Sequence, residues 1–208
     1  MAETRSLRTF RVVLWSLVVV AAIAATVLFF VSQDQRNRGE ATILGGPGGG
    51  EFALVDQRGA PVDRTIFTGH PSLLFFGYTH CPDVCPTTMG EMQGWFEALG
   101  EEGKTLRGVF VTVDPARDTP ELLDGYVSWV SDRIVALTGE QSEIDKVVKD
   151  WGASAEKVGE GDDYLMNHTA SVFLVDARGQ FVGTIAYGED TETALGKIRR
   201  LIANSPSA

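Results

Sequence analysis

Cysteine and histidine are scarce in this chain: two of the first and three of the second in 208 residues. Both cysteines fall in one run, Gly77-Tyr78-Thr79-His80-Cys81-Pro82-Asp83-Val84-Cys85-Pro86, so all thiol chemistry is concentrated there. Structural zinc wants four protein ligands, and no fourth is evident. Basic charge is also short. Eighteen Lys and Arg against 28 Asp and Glu leave a net charge of −10, which argues against a nucleic-acid partner and suits a well-solvated surface. No internal repeat is visible. Proline is missing from the whole stretch between Pro120 and Pro206.

Charge disappears altogether in one place. The 20 residues from Val12 to Val31 carry none, and only Ser16 and Thr26 bear hydroxyls. As a helix this run reaches about 30 Å, the thickness of the bilayer hydrocarbon. Ala22-Ile23-Ala24 resembles a signal-peptide cleavage site. The apolar run continues past it through Leu28, Phe29, Phe30 and Val31, longer than a signal core of about 7–15 residues. An uncleaved single transmembrane helix over 12–31 is therefore expected. Arg5, Arg8 and Arg11 before it, against Arg36 and Arg38 after it, place residues 1–11 in the cytoplasm. The bulk of the chain then faces the periplasm from the inner (plasma) membrane. Residues 32–50, rich in glycine at Gly45-Gly46-Pro47-Gly48-Gly49-Gly50, read as a flexible linker with a typical reach of ~25 Å. Residues 51–205 fit one globular domain.

Within that domain, Phe52–Val55 and Ala60–Val62 flank a polar turn and read as a hairpin. Leu73–Phe76 and Arg107–Val113 are apolar runs suited to buried strands. Thr87 to Leu99 is helical, with Met89, Met92, Trp95, Phe96 and Leu99 on one face. Thr119 caps a second helix with Pro120 at its first position. A short strand (Ile134–Leu137), a helix (Glu140–Trp151), two strands (Ser171–Asp176, Phe181–Tyr187) and a last helix (Thr191–Ala203) follow. This is the order of an α/β, thioredoxin-like domain with an added N-terminal β-hairpin.

The cysteine run thus lies at a strand-to-helix turn, where helix N–H groups and dipole favour thiolate. A thiol pair there is redox-active, a metal chelate, or a structural disulfide. The last would close a loop of about five residues for only ~2 kcal/mol. Three residues separate the thiols, against two in thioredoxin-type motifs. On a helix that spacing makes them neighbours at i and i+4, able to converge on a metal with a third ligand. His70, between Gly69 and Pro71, reads as solvated. His80 is adjacent to Cys81, and neighbouring side chains diverge. His168 falls just before a core strand, where the loop of a thioredoxin-like fold passes the dithiol and where redox enzymes carry a proline. Met89, Met92 and Met166 are weak thioether candidates; helical spacing assigns the first two to the core. Asp83 faces a docking partner or simply solvates its loop.

The segment Phe75–Thr88, together with Thr112-Val113-Asp114-Pro115-Ala116-Arg117-Asp118-Thr119-Pro120-Glu121 and Asp163-Tyr164…His168-Thr169, resembles the Sco/SenC copper-protein family. The resemblance implies a membrane-tethered, thioredoxin-like protein that binds copper, as Cu(I) or Cu(II), through Cys81, Cys85 and His168. Two thiolates and an imidazole suit that metal in both states. It further implies metallochaperone work without turnover: copper goes to the copper-binding subunit of cytochrome c oxidase, with a copper donor protein and a thiol reductant as further partners. The same dithiol also serves a thiol-disulfide reductant that keeps the target's cysteines reduced, or a redox or copper sensor. Two positions depart from the family: Asn167 stands where Asp is frequent, beside His168, and Gly48–Glu51 looks inserted in the linker.

Overall fold

The structure, a computed structural model, describes residues 47–205 and the isolated position 15. Apart from that position, the apolar run 12–31, the N-terminal 1–11 and the linker as far as residue 46 lie outside the described residues. Among those described, no helix is long and apolar enough to cross a membrane.

A seven-stranded sheet organises the domain. Its strands are β1 (Leu54–Asp56), β2 (Pro61–Val62), β3 (Ser72–Gly77), β4 (Arg107–Thr112), β5 (Ile134–Thr138), β8 (Val172–Val175) and β9 (Phe181–Ile185), in the spatial order β2-β1-β5-β4-β3-β8-β9. The central strands β3, β4 and β5 run parallel, while β8 joins β3 antiparallel and β9 follows it as a hairpin. Every residue of β3 is buried, the mark of a strand covered on both faces. The expected N-terminal hairpin is β1–β2, laid antiparallel against β5. Its turn is set by Asp56, whose Oδ1 accepts from the N–H groups of Arg58 and Ala60, with Gly59 at φ 77°.

Four helices cover the sheet: α1 (Val84–Leu99), α2 (Pro120–Ser128), α3 (Gln141–Asp150) and α4 (Thr191–Ala203). The inward face of α1 is the one its spacing marks: Met89, Met92, Trp95, Phe96 and Leu99 are all buried. Each such side chain stabilises the fold by roughly 1.5–3 kcal/mol. Thr119 caps α2 through its side chain, accepting from the Leu122 N–H at 3.4 Å, and Pro120 opens the helix where its missing N–H costs nothing.

Three features differ from the sequence expectations. First, α1 starts at Val84, not Thr87, because proline in a first turn leaves no hydrogen bond unmade; Pro86 sits inside that turn. Cys81 therefore precedes the helix, and the two thiols are not i, i+4 neighbours on a helical face. Second, the described body includes part of the stretch read as linker. Gly48 is buried, its N–H donates to the Asp150 carbonyl at 2.9 Å, and its carbonyl accepts from Arg64 Nε. At φ 88° and with the Trp151 ring 2.4 Å from where a Cβ would stand, only glycine fits there. Third, residues 155–168 form a separate two-stranded sheet, β6 (Ala155–Val158) paired antiparallel with β7 (Leu165–His168). All four residues of β6 are exposed, so no alternation of polarity announced it.

Candidate metal centre

The site gathers at the C-terminal end of β3, where the chain turns into α1. Asp83 occupies the cap position of α1 but makes no side-chain capping bond. The Cys81 sulfur does that work instead: the Cys85 N–H points at Sγ, 3.3 Å away. Cys81 is half-buried, Cys85 fully buried, and both are free thiols. Gly77 makes room for the second. A Cβ at residue 77 would lie 2.8 Å from the Phe110 ring and 3.0 Å from the Cys85 sulfur.

The helix N-terminus was expected to favour thiolate at both cysteines. At Cys85 burial is the larger effect and pushes the thiol well up, so the neutral thiol is favoured until a positive charge arrives beside it. A soft cation supplies such a charge, which ties metal capture at Cys85 to proton release.

His168 ends β7 and comes from the opposite side. Its Nε2 stands 3.3 Å from Cys85 Sγ. Its Nδ1 lies 3.0 Å from the Thr169 carbonyl oxygen, which can only accept, so Nδ1 carries the proton and the Nε2 lone pair faces the thiols. Burial lowers the pKa of this imidazole and keeps it neutral, as a ligand must be. Phe75 and Tyr78 wall it edge-on, with ring centroids 6.0 and 5.8 Å away. One donor atom each from Cys81, Cys85 and His168 lie within 4.8 Å of one another. Two sulfurs and one nitrogen at that separation fit a soft or borderline ion, Cu(I) or Cu(II), better than any hard cation.

The cysteine turn has a buried anchor. The Asp118 side chain, fully excluded from solvent, accepts from Thr79 N–H at 3.1 Å, from Thr79 Oγ1 at 2.6 Å and from Thr112 Oγ1 at 2.5 Å. Burial pushes this carboxyl up, against the hydrogen bonds from Thr112 and Thr79 that favour its charged form. In the sequence Asp118 falls within the Thr112–Glu121 segment with nothing to mark its task, since a buried aspartate and a surface one look alike in a string.

The remaining candidates are sorted by geometry. His80 is exposed, with Nδ1 at 3.0 Å from Thr79 Oγ1, outside the donor cluster. His70 precedes the other end of β3 and is half-buried rather than solvated; burial and the charge of Arg107 lower its pKa. Met89 and Met92 are core residues, and Met166 is partly buried against the core. Asp83 is exposed. Asn167 is exposed too, paired with Glu156 across the hairpin, while the strand alternation turns its side chain away from the His168 face. It is next to the ligand in sequence only.

Comparison with known proteins gives the family. The family model described as SCO1/SenC matches residues 40–203. The mitochondrial protein SCO2 of Saccharomyces cerevisiae is 34% identical over 158 residues, 74% of this chain and 52% of the yeast protein. The chain thus spans about half the length of that relative. A SCO2-like protein of Rickettsia prowazekii is 34% identical over 137 residues, 64% of this chain and 67% of its own. Among solved structures, Bradyrhizobium japonicum ScoI with copper bound is 39% identical, with a TM-score of 0.67 over 73% of this chain and 98% of that one. Yeast Sco1 with copper bound is 32% identical, with a TM-score of 0.69 over 76% and 90%. With the family profile running through both the cysteine turn and the histidine hairpin, the chain belongs to the SCO1/SenC family.

Proposed function

We propose that this protein takes one copper ion as cargo on Cys81, Cys85 and His168 and passes it to the copper-binding subunit of cytochrome c oxidase during assembly. The observation that carries the reading is the convergence of two thiols and an imidazole within 4.8 Å, with the imidazole Nδ1 turned to the Thr169 carbonyl. Relatives solved with copper bound support the choice of metal. Three protein donors leave a coordination position for an incoming ligand, the condition for handing an ion on rather than storing it. Residues 12–31 would tether the domain to the inner membrane on its periplasmic side, a placement that rests on the hydropathy of that run.

A second reading, thiol-disulfide reduction of the target, draws on one observation: Cys81 is partly exposed and its sulfur receives a helix N–H, as an attacking thiolate would. There, a partner disulfide becomes two thiols while Cys81 and Cys85 close into a disulfide, which a thiol reductant reopens. His168→Ala separates the two. Under copper delivery the variant folds, binds copper more weakly and fails to support assembly of the oxidase copper centre. Under disulfide reduction it supports assembly almost normally. Oxidase activity in cells carrying only this variant, at matched protein level, is the measurement. Full activity alongside lost copper binding would overturn the delivery reading.

A further inference from the structure

His168 sits on a hairpin that shares no ladder with the main sheet, so something else must hold its imidazole over the thiols. Alternation along β7, continued to Tyr164 just before it, puts Tyr164, Met166 and His168 on one inward face, with Leu165 and Asn167 outward and exposed. Tyr164 and His168 are four residues apart, about 13 Å along an extended strand. At the Tyr164 end the hairpin is gripped. The Tyr164 hydroxyl donates to Asp114 Oδ1 at 2.6 Å. The Arg117 guanidinium lies 3.5 Å from the centroid of the Tyr164 ring, and the Lys157 ammonium 3.7 Å from it. Two cations that close cannot share a face, so the ring is sandwiched. Arg117 also bonds Asp114 Oδ2 through Nε at 2.5 Å and the Asp162 carbonyl through Nη1 at 3.3 Å. Its Nη2 is buried with no acceptor, a cost the stacked arrangement has to offset.

Asp114 and Arg117 belong to the turn after β4, and so does Asp118, the anchor of the cysteine loop. That turn is closed by its own backbone, with the N–H groups of Arg117 and Asp118 donating to the Asp114 carbonyl. One short segment therefore holds both halves of the metal centre. From this juxtaposition we infer that Asp114, Arg117 and Tyr164 are positioning residues: they clamp the hairpin so that His168 Nε2 meets the thiols. The clamp acts on copper only through His168, and in this it rests on the proposed copper site.

The test uses the full chain in detergent, reduced, with Tyr164→Phe, Arg117→Ala and His168→Ala singly and with each clamp variant combined with His168→Ala. Without metal, amide hydrogen exchange across 155–168 should quicken in the clamp variants, while the amides of α1 keep their wild-type protection. With Cu(II), the nitrogen coupling in the electron paramagnetic resonance spectrum should weaken in Arg117→Ala, and copper affinity should fall about tenfold, the usual cost of losing a ligand's supporting partner. In the His168→Ala background the same substitutions should change affinity less than about twofold, because two changes acting through one ligand are not additive. Tyr164→Phe keeps the sandwiched ring and loses only the bond to Asp114, so its effect should fall between wild type and Arg117→Ala. Unchanged exchange in the hairpin overturns the clamp. So does an affinity loss that is equally large with and without His168. Failure of the wild-type chain to bind copper overturns the metal reading instead, and the exchange experiment then still decides whether the clamp exists.

Discussion

The two cysteines and the histidine reach the centre from regions built in different ways. The cysteine turn hangs from β3, the most buried strand of the sheet, and is backed by α1 and by an aspartate fully shut off from water. The histidine rides on a two-stranded hairpin whose first strand is exposed throughout. A paired ribbon of this size is marginal by itself and takes its stability from whatever its inward face touches. The contrast teaches a division of labour. Thiol geometry is inherited from the core, so it survives most local changes. The imidazole is placed by a few side-chain contacts, so its distance from the thiols can be altered without unfolding the domain. Under the proposed delivery function, one ligand on a less rigid support would ease release of the ion.

Four experiments press on that difference, taken from the largest expected effect downward. Cys85→Ser should reduce retained copper from one equivalent to almost none, whereas His168→Ala should leave a measurable, weaker complex; metal analysis after desalting compares them. Equal loss from both would remove the distinction between a core half and a peripheral half.

Next, Asp118→Asn replaces an all-acceptor group with one that turns an N–H₂ toward existing donors. With Thr79 and Thr112 left badly paired, the fold should lose about 2 kcal/mol, read as a fall of roughly 4–8 °C in melting temperature for a chain of this size. Cys81 should also alkylate faster, since Thr79 no longer tethers its turn. A melting temperature within a degree of wild type would show that the cysteine half does not depend on this anchor.

The third is a pH titration of the histidine half. Burial holds His168 below the ordinary imidazole value of 6.5, so the unfolded chain binds this proton more readily than the folded one. The contribution of His168 to stability is therefore complete above about pH 6.5 and declines as the pH falls below that value. Subtracting the denaturation profile of His168→Gln from that of wild type isolates it. A difference that grows on acidification would contradict the buried, neutral ring.

The smallest effect is expected at Asn167→Asp. The side chain faces away from the ligand, so copper affinity should change by less than about twofold, as judged by competition with a chelator. A larger change would mean that charge reaches the imidazole from the outer face of the hairpin after all.

Much of the fold was legible from residue pattern. The continuous apolar runs at Leu73–Phe76 and Arg107–Val113, the Thr119-Pro120 cap and the spaced apolar face from Met89 to Leu99 each correspond to an observed element, because each carries its own local signal. The β6–β7 hairpin did not show, since Ala-Glu-Lys-Val has no buried side to mark a strand. Around β7 the signal was present but short: Tyr164, just before the strand, then Met166 and His168 alternate with Leu165 and Asn167, and that rhythm would have moved His168 from a loop to a strand. The start of α1 was misplaced through Pro86, which reads as a breaker yet is tolerated in a first turn.

By itself the sequence determined which chemistry is possible: two thiols in one turn, three imidazoles to choose among, and an apolar strand that runs into a helix at the cysteine turn. These follow from composition and from interactions reaching only a few residues along the chain. His168 was already marked by its place before a core strand; the tertiary structure brought its ring to the Cys85 sulfur, 83 positions away in the chain, and alone decided which of its nitrogens faces the thiols and that burial raises the Cys85 thiol against the pull of the helix end. It also decided that Asp114, Arg117 and Asp118 stand between the two halves of the centre. Distances between remote segments and the loss of water around a group are properties of packing, and packing has no image in a linear order of residues.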